Sequence, residues 1–118
     1  MVLIGAFGAH TLNDLLVDNG RLDTFHTATQ YLFYHSLGMF FIGVLWNDDN
    51  YSKKLKISFF LMLFGVFLFS GSLYILSITN ITKLGIITPF GGILLVFAWL
   101  LIALSIKNNL NSKNNILK

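Results

Sequence analysis

A bundle of membrane-spanning α-helices is the fold class this chain predicts, and three observations predict it. First, residues 24–47, 57–82 and 84–106 contain no Asp, Glu, Lys or Arg, which gives uncharged runs of 24, 26 and 23 residues. A helix rising ~1.5 Å per residue needs roughly 20 apolar residues to cross a hydrocarbon core about 30 Å thick. Second, 55% of the residues are hydrophobic and only 11% are charged, against about a quarter charged in soluble domains. Third, the charges gather at the junctions and ends. The 118 residues therefore read as one helical membrane domain over 1–106 followed by a polar tail over 107–118, with no room for a folded soluble domain.

Residues 1–9 (MVLIGAFGA) are apolar and uncharged, but as a helix they cover only about 14 Å. They lack the basic n-region of a signal peptide, and two glycines interrupt the apolar run. They read instead as the last part of a first membrane helix. Beyond them, Leu12, Leu15 and Leu16 fall at helical spacing with Asn13, Asp14 and Asp18 opposite, the pattern of a short helix lying in the membrane interface. Asn19-Gly20 is a turn signal, and Asp23-Thr24 offers an N-cap for the next helix.

The second segment, 24–46, is polar in its first half and apolar in its second, with Trp46 at the far end as an interfacial anchor. Residues 47–56 form a polar loop with three lysines. The third segment, 55–79, is rich in Phe, and 80–83 is a tight connection to the fourth, 84–106. The single proline, Pro89, lies about one turn into that last segment. Proline is tolerated there because the first N–H groups of a helix have no intrahelical partner. The Asn/Lys-rich tail has little to bury.

The loops predict orientation. With residues 1–9 embedded, the 47–56 loop and the tail share one side, which carries Lys53, Lys54, Lys56, Lys107, Lys113 and Lys118. The other side has Arg21 and Lys83 beside Asp14, Asp18 and Asp23. Six basic residues against two predict that the lysine side, with the C-terminus, faces the cytoplasm of a bacterium or the matrix of a mitochondrion.

Four motifs carry a resemblance. Gly5-Ala6-Phe7-Gly8-Ala9-His10 closes the first segment, and Phe25-His26-Thr27-Ala28 with Tyr31 and His35 opens the second. Phe69-Ser70-Gly71-Ser72-Leu73-Tyr74 lies in the third, and Leu84-Gly85-Ile86-Ile87-Thr88-Pro89-Phe90-Gly91-Gly92 opens the fourth. In this order, over almost the whole chain, they resemble the YgdD/YwdK family of small bacterial membrane proteins, which has mitochondrial relatives in animals. The resemblance implies a four-helix membrane protein and assigns no reaction. Family members usually carry about ten more apolar residues before the first motif, enough to complete its span. The expectation is therefore three full spans plus a partial first one, four in the family, with a missing N-terminus favoured over a true stub.

Small residues are the most frequent unusual feature. Ser58, Gly65, Ser72 and Thr79 recur every seven residues, and Gly85 and Gly92 repeat the spacing with Gly91 and Ala98 close by. Lipid tails are as apolar as leucine, so membrane helices associate through close backbone approach at such residues. The seam formed by Ser58, Gly65, Ser72, Gly85, Gly91 and Gly92 packs helices within one chain, or docks another membrane protein.

The polar candidates inside the spans are His10, His26, Tyr31, His35, Ser70, Tyr74 and Thr88. His10 and His26 lie near segment ends on the Asp-rich side, where they cap or cross-link helices. The competing reading, a metal with Asp14 or Asp23 as third ligand, lacks any tight ligand spacing. His35 lies about 14 Å deeper than His26, and an ionisable residue at depth is by default a functional hypothesis. An interhelical hydrogen bond to Tyr74 or Ser72 is its first reading. Haem ligation would need a second histidine at matching depth, and a proton relay would need a carboxylate within the spans, where there is none.

The chain has no cysteine, which excludes disulfides, thiolate metal sites and thiol nucleophiles. Thr88-Pro89-Phe90-Gly91-Gly92 lacks the Lys and Ser/Thr of a phosphate-binding loop, and Ser70-Gly71-Ser72 lacks the partners of a nucleophile elbow. No helix has a basic face for nucleic acid. The residues therefore predict a non-catalytic membrane protein without metal or cofactor. Its partners are the lipid bilayer and a membrane protein or further copies of itself, and its role is that of an accessory or assembly component. The runner-up is a small oligomeric transporter or channel, with Tyr31, His35, Ser70, Ser72 and Thr88 lining a polar path.

Overall fold

The computed structural model describes residues 2–46 and 53–116, and all of its regular elements there are helical. They are α1 (Val2–His10), α2 (Asn13–Asp18), α3 (Leu22–Trp46), α4 (Lys53–Thr79), a 3₁₀ turn (Thr82–Ile86) and α5 (Thr88–Ile116). Residues 47–52 of the expected polar loop lie outside the described residues.

Two stretches, Lys53–Thr79 and Thr82–Asn108, are long and apolar enough to cross a membrane, and only 33% and 22% of their most apolar windows are buried in the protein. That low burial sets them apart from the core helix of a soluble domain, which is covered all round. At 25 residues, α3 has the length, about 38 Å, but Thr24, His26, Thr27, Thr29 and Gln30 make its first half polar. Of the three full spans expected, two therefore meet the test of apolarity.

Helix boundaries move where local hydrogen bonding overrides composition. α4 starts at Lys53 and takes in three lysines assigned above to a loop. α3 starts at Leu22, because the Phe25 amide bonds the Arg21 carbonyl at 3.0 Å. Asp23 thus lies in the first turn rather than at the cap, where its charge complements the helix dipole. Residues 84–86 belong to the 3₁₀ turn, and α5 opens at Thr88 with Pro89 as its second residue. At its other end α5 remains helical to Ile116, past the boundary at 106.

α4 is the central helix, with α3 packed against it on one side and α5 on the other. Ile42 of α3, Leu55, Met62 and Val66 of α4, and Leu95, Ala98 and Ile102 of α5 form one buried core. The outward faces are as apolar as the core. Phe40 is 73% exposed, Phe67 75% and Val96 60%, one from each long helix. A water-facing surface rarely presents contiguous apolar area on that scale.

The closest approach is between α4 and α5. A methyl group built on Gly91 would lie 2.5 Å from the Phe69 backbone nitrogen and 2.8 Å from the Gly65 carbonyl oxygen. One built on Gly65 would lie 2.8 Å from Leu95 Cδ2. The two backbones touch because neither position has a side chain. Gly92 and Gly85 are looser, at 3.7 Å from the Phe69 ring and 3.4 Å from Leu76.

The ends away from the lysines are tied together by α2. It closes in a Schellman motif, with the Arg21 amide on the Leu16 carbonyl (2.8 Å) and the Gly20 amide on Val17 (2.9 Å). Gly20 takes φ 64°, the left-handed conformation that this cap requires. The Asn19 side-chain amide then donates to the Ser77 and Ile78 carbonyls of α4, both at 3.1 Å. Those carbonyls belong to the last turn, which has no intrahelical donors. Arg21 Nε donates to Asn80 Oδ1 at 3.0 Å, and Asn80 ends α4 at φ 56°.

Candidate functional site

Hydroxyl and imidazole groups in an apolar bundle need partners, because lipid offers none. Most satisfy themselves on the preceding turn of their own helix. Ser36 donates to the Leu32 carbonyl (2.6 Å), Ser58 to Lys54 (2.7 Å) and Ser77 to Tyr74 (2.8 Å).

Among the described residues, two side-chain hydroxyl links join the long helices, on opposite sides of α4. On the α5 side Ser72 Oγ and Thr88 Oγ1 lie 2.8 Å apart, and Ser72 also donates to the Phe69 carbonyl at 3.0 Å. On the α3 side the Tyr74 hydroxyl donates to Thr29 Oγ1 at 3.0 Å, and Thr29 donates to the Phe25 carbonyl at 3.0 Å. The Phe25 ring meets Tyr74 edge-on at 5.0 Å and lies directly over Gly8 of α1. Tyr74→Phe is expected to lower stability by about 1 kcal/mol. A double-mutant cycle with Thr29→Val, read by thermal unfolding in detergent, should return most of that loss as coupling between the pair.

His35 is buried, with 7% exposed, and its partner is neither Tyr74 nor Ser72. Its Nδ1 lies 2.7 Å from the Tyr31 carbonyl. A carbonyl only accepts, so Nδ1 carries the proton and, in the neutral ring, Nε2 is the acceptor. The reason is depth. Tyr74 lies level with Thr29, and His35 is six residues, about 9 Å, further along α3. Its surroundings are aromatic. Tyr31 stacks on it at 5.9 Å and on Phe69 of α4 at 4.5 Å, and Trp99 of α5 lies 6.3 Å away. One turn on, a methyl built on Gly38 would lie 2.8 Å from Met62 Sδ and 3.0 Å from Trp99 Cζ2. Gly38 therefore lets α4 and α5 side chains close over α3.

The five residues proposed to line a polar path do not converge. Ser70 and Ser72 are two positions apart and so lie on nearly opposite faces of α4. Ser70 faces α3, in a groove of about 280 Å³ shared with Leu32, Met39, Val66 and Tyr74. Its hydroxyl is buried and has no hydrogen-bond partner among the described residues. His10 and His26 are both exposed, and neither cross-links α1 to α3, which meet through Gly8 and Phe25. Among the described residues, no three His, Cys, Asp or Glu side chains come together in a way that would hold a metal.

Sequence reasoning missed Thr29 and Trp99, and read Asn19 as a turn former without its link to α4. Trp99 and Asn19 carry no periodic signal, whereas Thr29 falls a turn beyond Phe25 in the second motif.

A family model described as Protein of unknown function (DUF423) matches residues 4–92. The UPF0382 membrane protein YwdK of Bacillus subtilis (strain 168) is 42% identical over 102 residues, covering 86% of this chain and 82% of its own. A UPF0382 membrane protein of Staphylococcus epidermidis is 41% identical over 101 residues, and UPF0382 membrane protein SH2409 of Staphylococcus haemolyticus is 43% identical over 101. Each covers 86% of this chain and 80% of its own. No solved structure matches. With its two lipid-length apolar helices and its match over three quarters of the chain, this is a membrane protein, and it belongs to the DUF423 family of proteins of unknown function.

Proposed function

We propose that this protein is a non-catalytic accessory or assembly component of a larger complex in the bacterial cytoplasmic membrane, acting by helix–helix packing. In this reading α3 crosses the bilayer with α4 and α5, α1 is a partial span, and the lysine-bearing end faces the cytoplasm. The observation that carries the association is the division among the glycines. Gly8, Gly38, Gly65 and Gly91 are filled from within the chain, whereas methyl groups built on Gly43 and Gly71 would meet nothing within 4 Å. Those two leave open notches on the outer faces of α3 and α4, where the backbone of a further membrane helix can approach closely. The test is purification from native membranes in mild detergent, followed by size analysis and mass spectrometry. A stoichiometric larger complex is the expected result. A homo-oligomer without a partner would sink this reading.

One observation favours transport as the second reading: His35, an ionisable side chain at depth, is buried. His35→Ala separates the two. It should weaken assembly only modestly, by about 1 kcal/mol for one lost contact. Uptake of a transported solute into reconstituted vesicles would instead collapse.

A further inference from the structure

We infer that the lysine-bearing end of the bundle is a binding site for the headgroup of an anionic phospholipid, with one acyl chain lying along α3. Lys53, Lys54 and Lys56 occupy the first turn of α4, and Lys107 lies near the far end of the membrane portion of α5. Leu55 and Ile102 share one core cluster, with Ile106 packed against it. Lys54 and Lys56, which flank Leu55, and Lys107, which follows Ile106, therefore lie at one level on neighbouring helices.

Nothing described neutralises them. Asp14, Asp18 and Asp23 are at the opposite end of the bundle, and Asp48 and Asp49 lie outside the described residues. By sequence that end holds six lysines against those two aspartates. The first turn of α4 also contains no acidic residue, so the lysines add to the positive end of its dipole rather than offset it. A bound anion would relieve both.

The second half of the site is apolar. A groove of about 640 Å³ runs along α3 beside Phe40, Gly43, Val44 and Trp46, and Gly43 leaves it open. Trp46 joins the groove to the basic level, because its ring meets Phe59 of α4 edge-on at 6.4 Å. Lys56 is three residues before Phe59 and shares its face. A basic rim above an apolar groove, with an interfacial Trp between them, matches a phosphate on a diacyl chain. The acyl chain takes the Gly43 notch, which leaves Gly71 as the docking notch of the accessory reading, and the headgroup site survives the failure of that reading.

The experiment uses the full chain carrying Trp99→Phe, which leaves Trp46 as the single tryptophan reporter. Its fluorescence is quenched in vesicles containing brominated phosphatidylglycerol or brominated phosphatidylcholine. Preference for phosphatidylglycerol should be about fivefold. It should fall to parity in Lys54→Gln/Lys56→Gln/Lys107→Gln and persist in the corresponding Arg variant. Gly43→Leu, at a position where an added methyl meets nothing within 4 Å, should lower quenching by the anionic lipid. Equal quenching by the two lipids, or a preference that survives the Gln substitutions, would overturn the headgroup site. Unchanged quenching in Gly43→Leu would overturn the acyl groove. Lipid retained by the unsubstituted protein, extracted and quantified, provides a reading that does not depend on Trp99→Phe folding.

Discussion

Gly91→Ala is expected to separate α4 from α5, with a loss of about 3 kcal/mol or more in detergent unfolding. The added methyl would meet the Phe69 backbone nitrogen at 2.5 Å and the Gly65 carbonyl oxygen at 2.8 Å. Backbone atoms cannot move without shifting the whole of α4, and that shift would also pull Ser72 from Thr88 and open the Leu95 contact at Gly65. Gly38→Ala makes the instructive contrast. Its methyl meets the flexible end of Met62 and the Trp99 ring, so the side chains can give, and the cost should be nearer 1 kcal/mol. Equal losses at the two positions would show that backbone contact does not determine the α4–α5 interface.

Phe67→Arg is the second large effect, and here the sign matters. Phe67 is 75% exposed near the middle of α4. On a protein surface facing water, exchanging an exposed Phe for Arg would cost almost nothing and would improve solubility. On a helix facing lipid, it should cost ~2.5–3.5 kcal/mol of insertion free energy. Membrane-inserted yield, measured against a soluble-fraction control, should therefore drop sharply. A variant that accumulates as a well-behaved soluble protein would contradict the lipid-facing assignment of this surface.

The physical signals legible in the sequence are the local ones. The third segment, read as 55–79, meets α4 at Thr79 and falls two residues short of its start at Lys53, because a helix in lipid must keep all its backbone hydrogen bonds inside the segment. α5 was less legible. The heptad spacing groups Gly85 with Gly92, yet Gly91 makes the tight contact, because Gly85 falls in the 3₁₀ turn and α5 begins only at Thr88. The seam read from the sequence includes Gly91 beside the heptad pair, and of these glycines it is Gly91 that lies against the α4 backbone.

The partner of His35 was illegible for a different reason. It depends on how far α3 and α4 slide past each other, which is set by contacts such as Thr29–Tyr74 and Tyr31–Phe69 rather than by spacing within either helix. Asn19 was seen as a turn former but not as a cap for α4, because its targets, the Ser77 and Ile78 carbonyls, are about sixty residues away. What remained hidden was the relative depth of distant segments for His35, which turns to its own helix at Tyr31, and a direct contact between them for Asn19.

Whether α3 crosses the bilayer decides the rest of the account, because its polar first half keeps it from the apolarity that the other two long helices reach. The chain has no native cysteine, so Asp18→Cys at the end of α2 and Lys53→Cys at the start of α4 each introduce a single thiol, and the two positions flank α3. The measurement is labelling of intact cells with a membrane-impermeant maleimide, before and after permeabilisation. The thiol at position 18 should react at once, and the thiol at position 53 only after permeabilisation. Reaction of both from the same side would mean that α3 does not cross, and would contradict the three-crossing bundle.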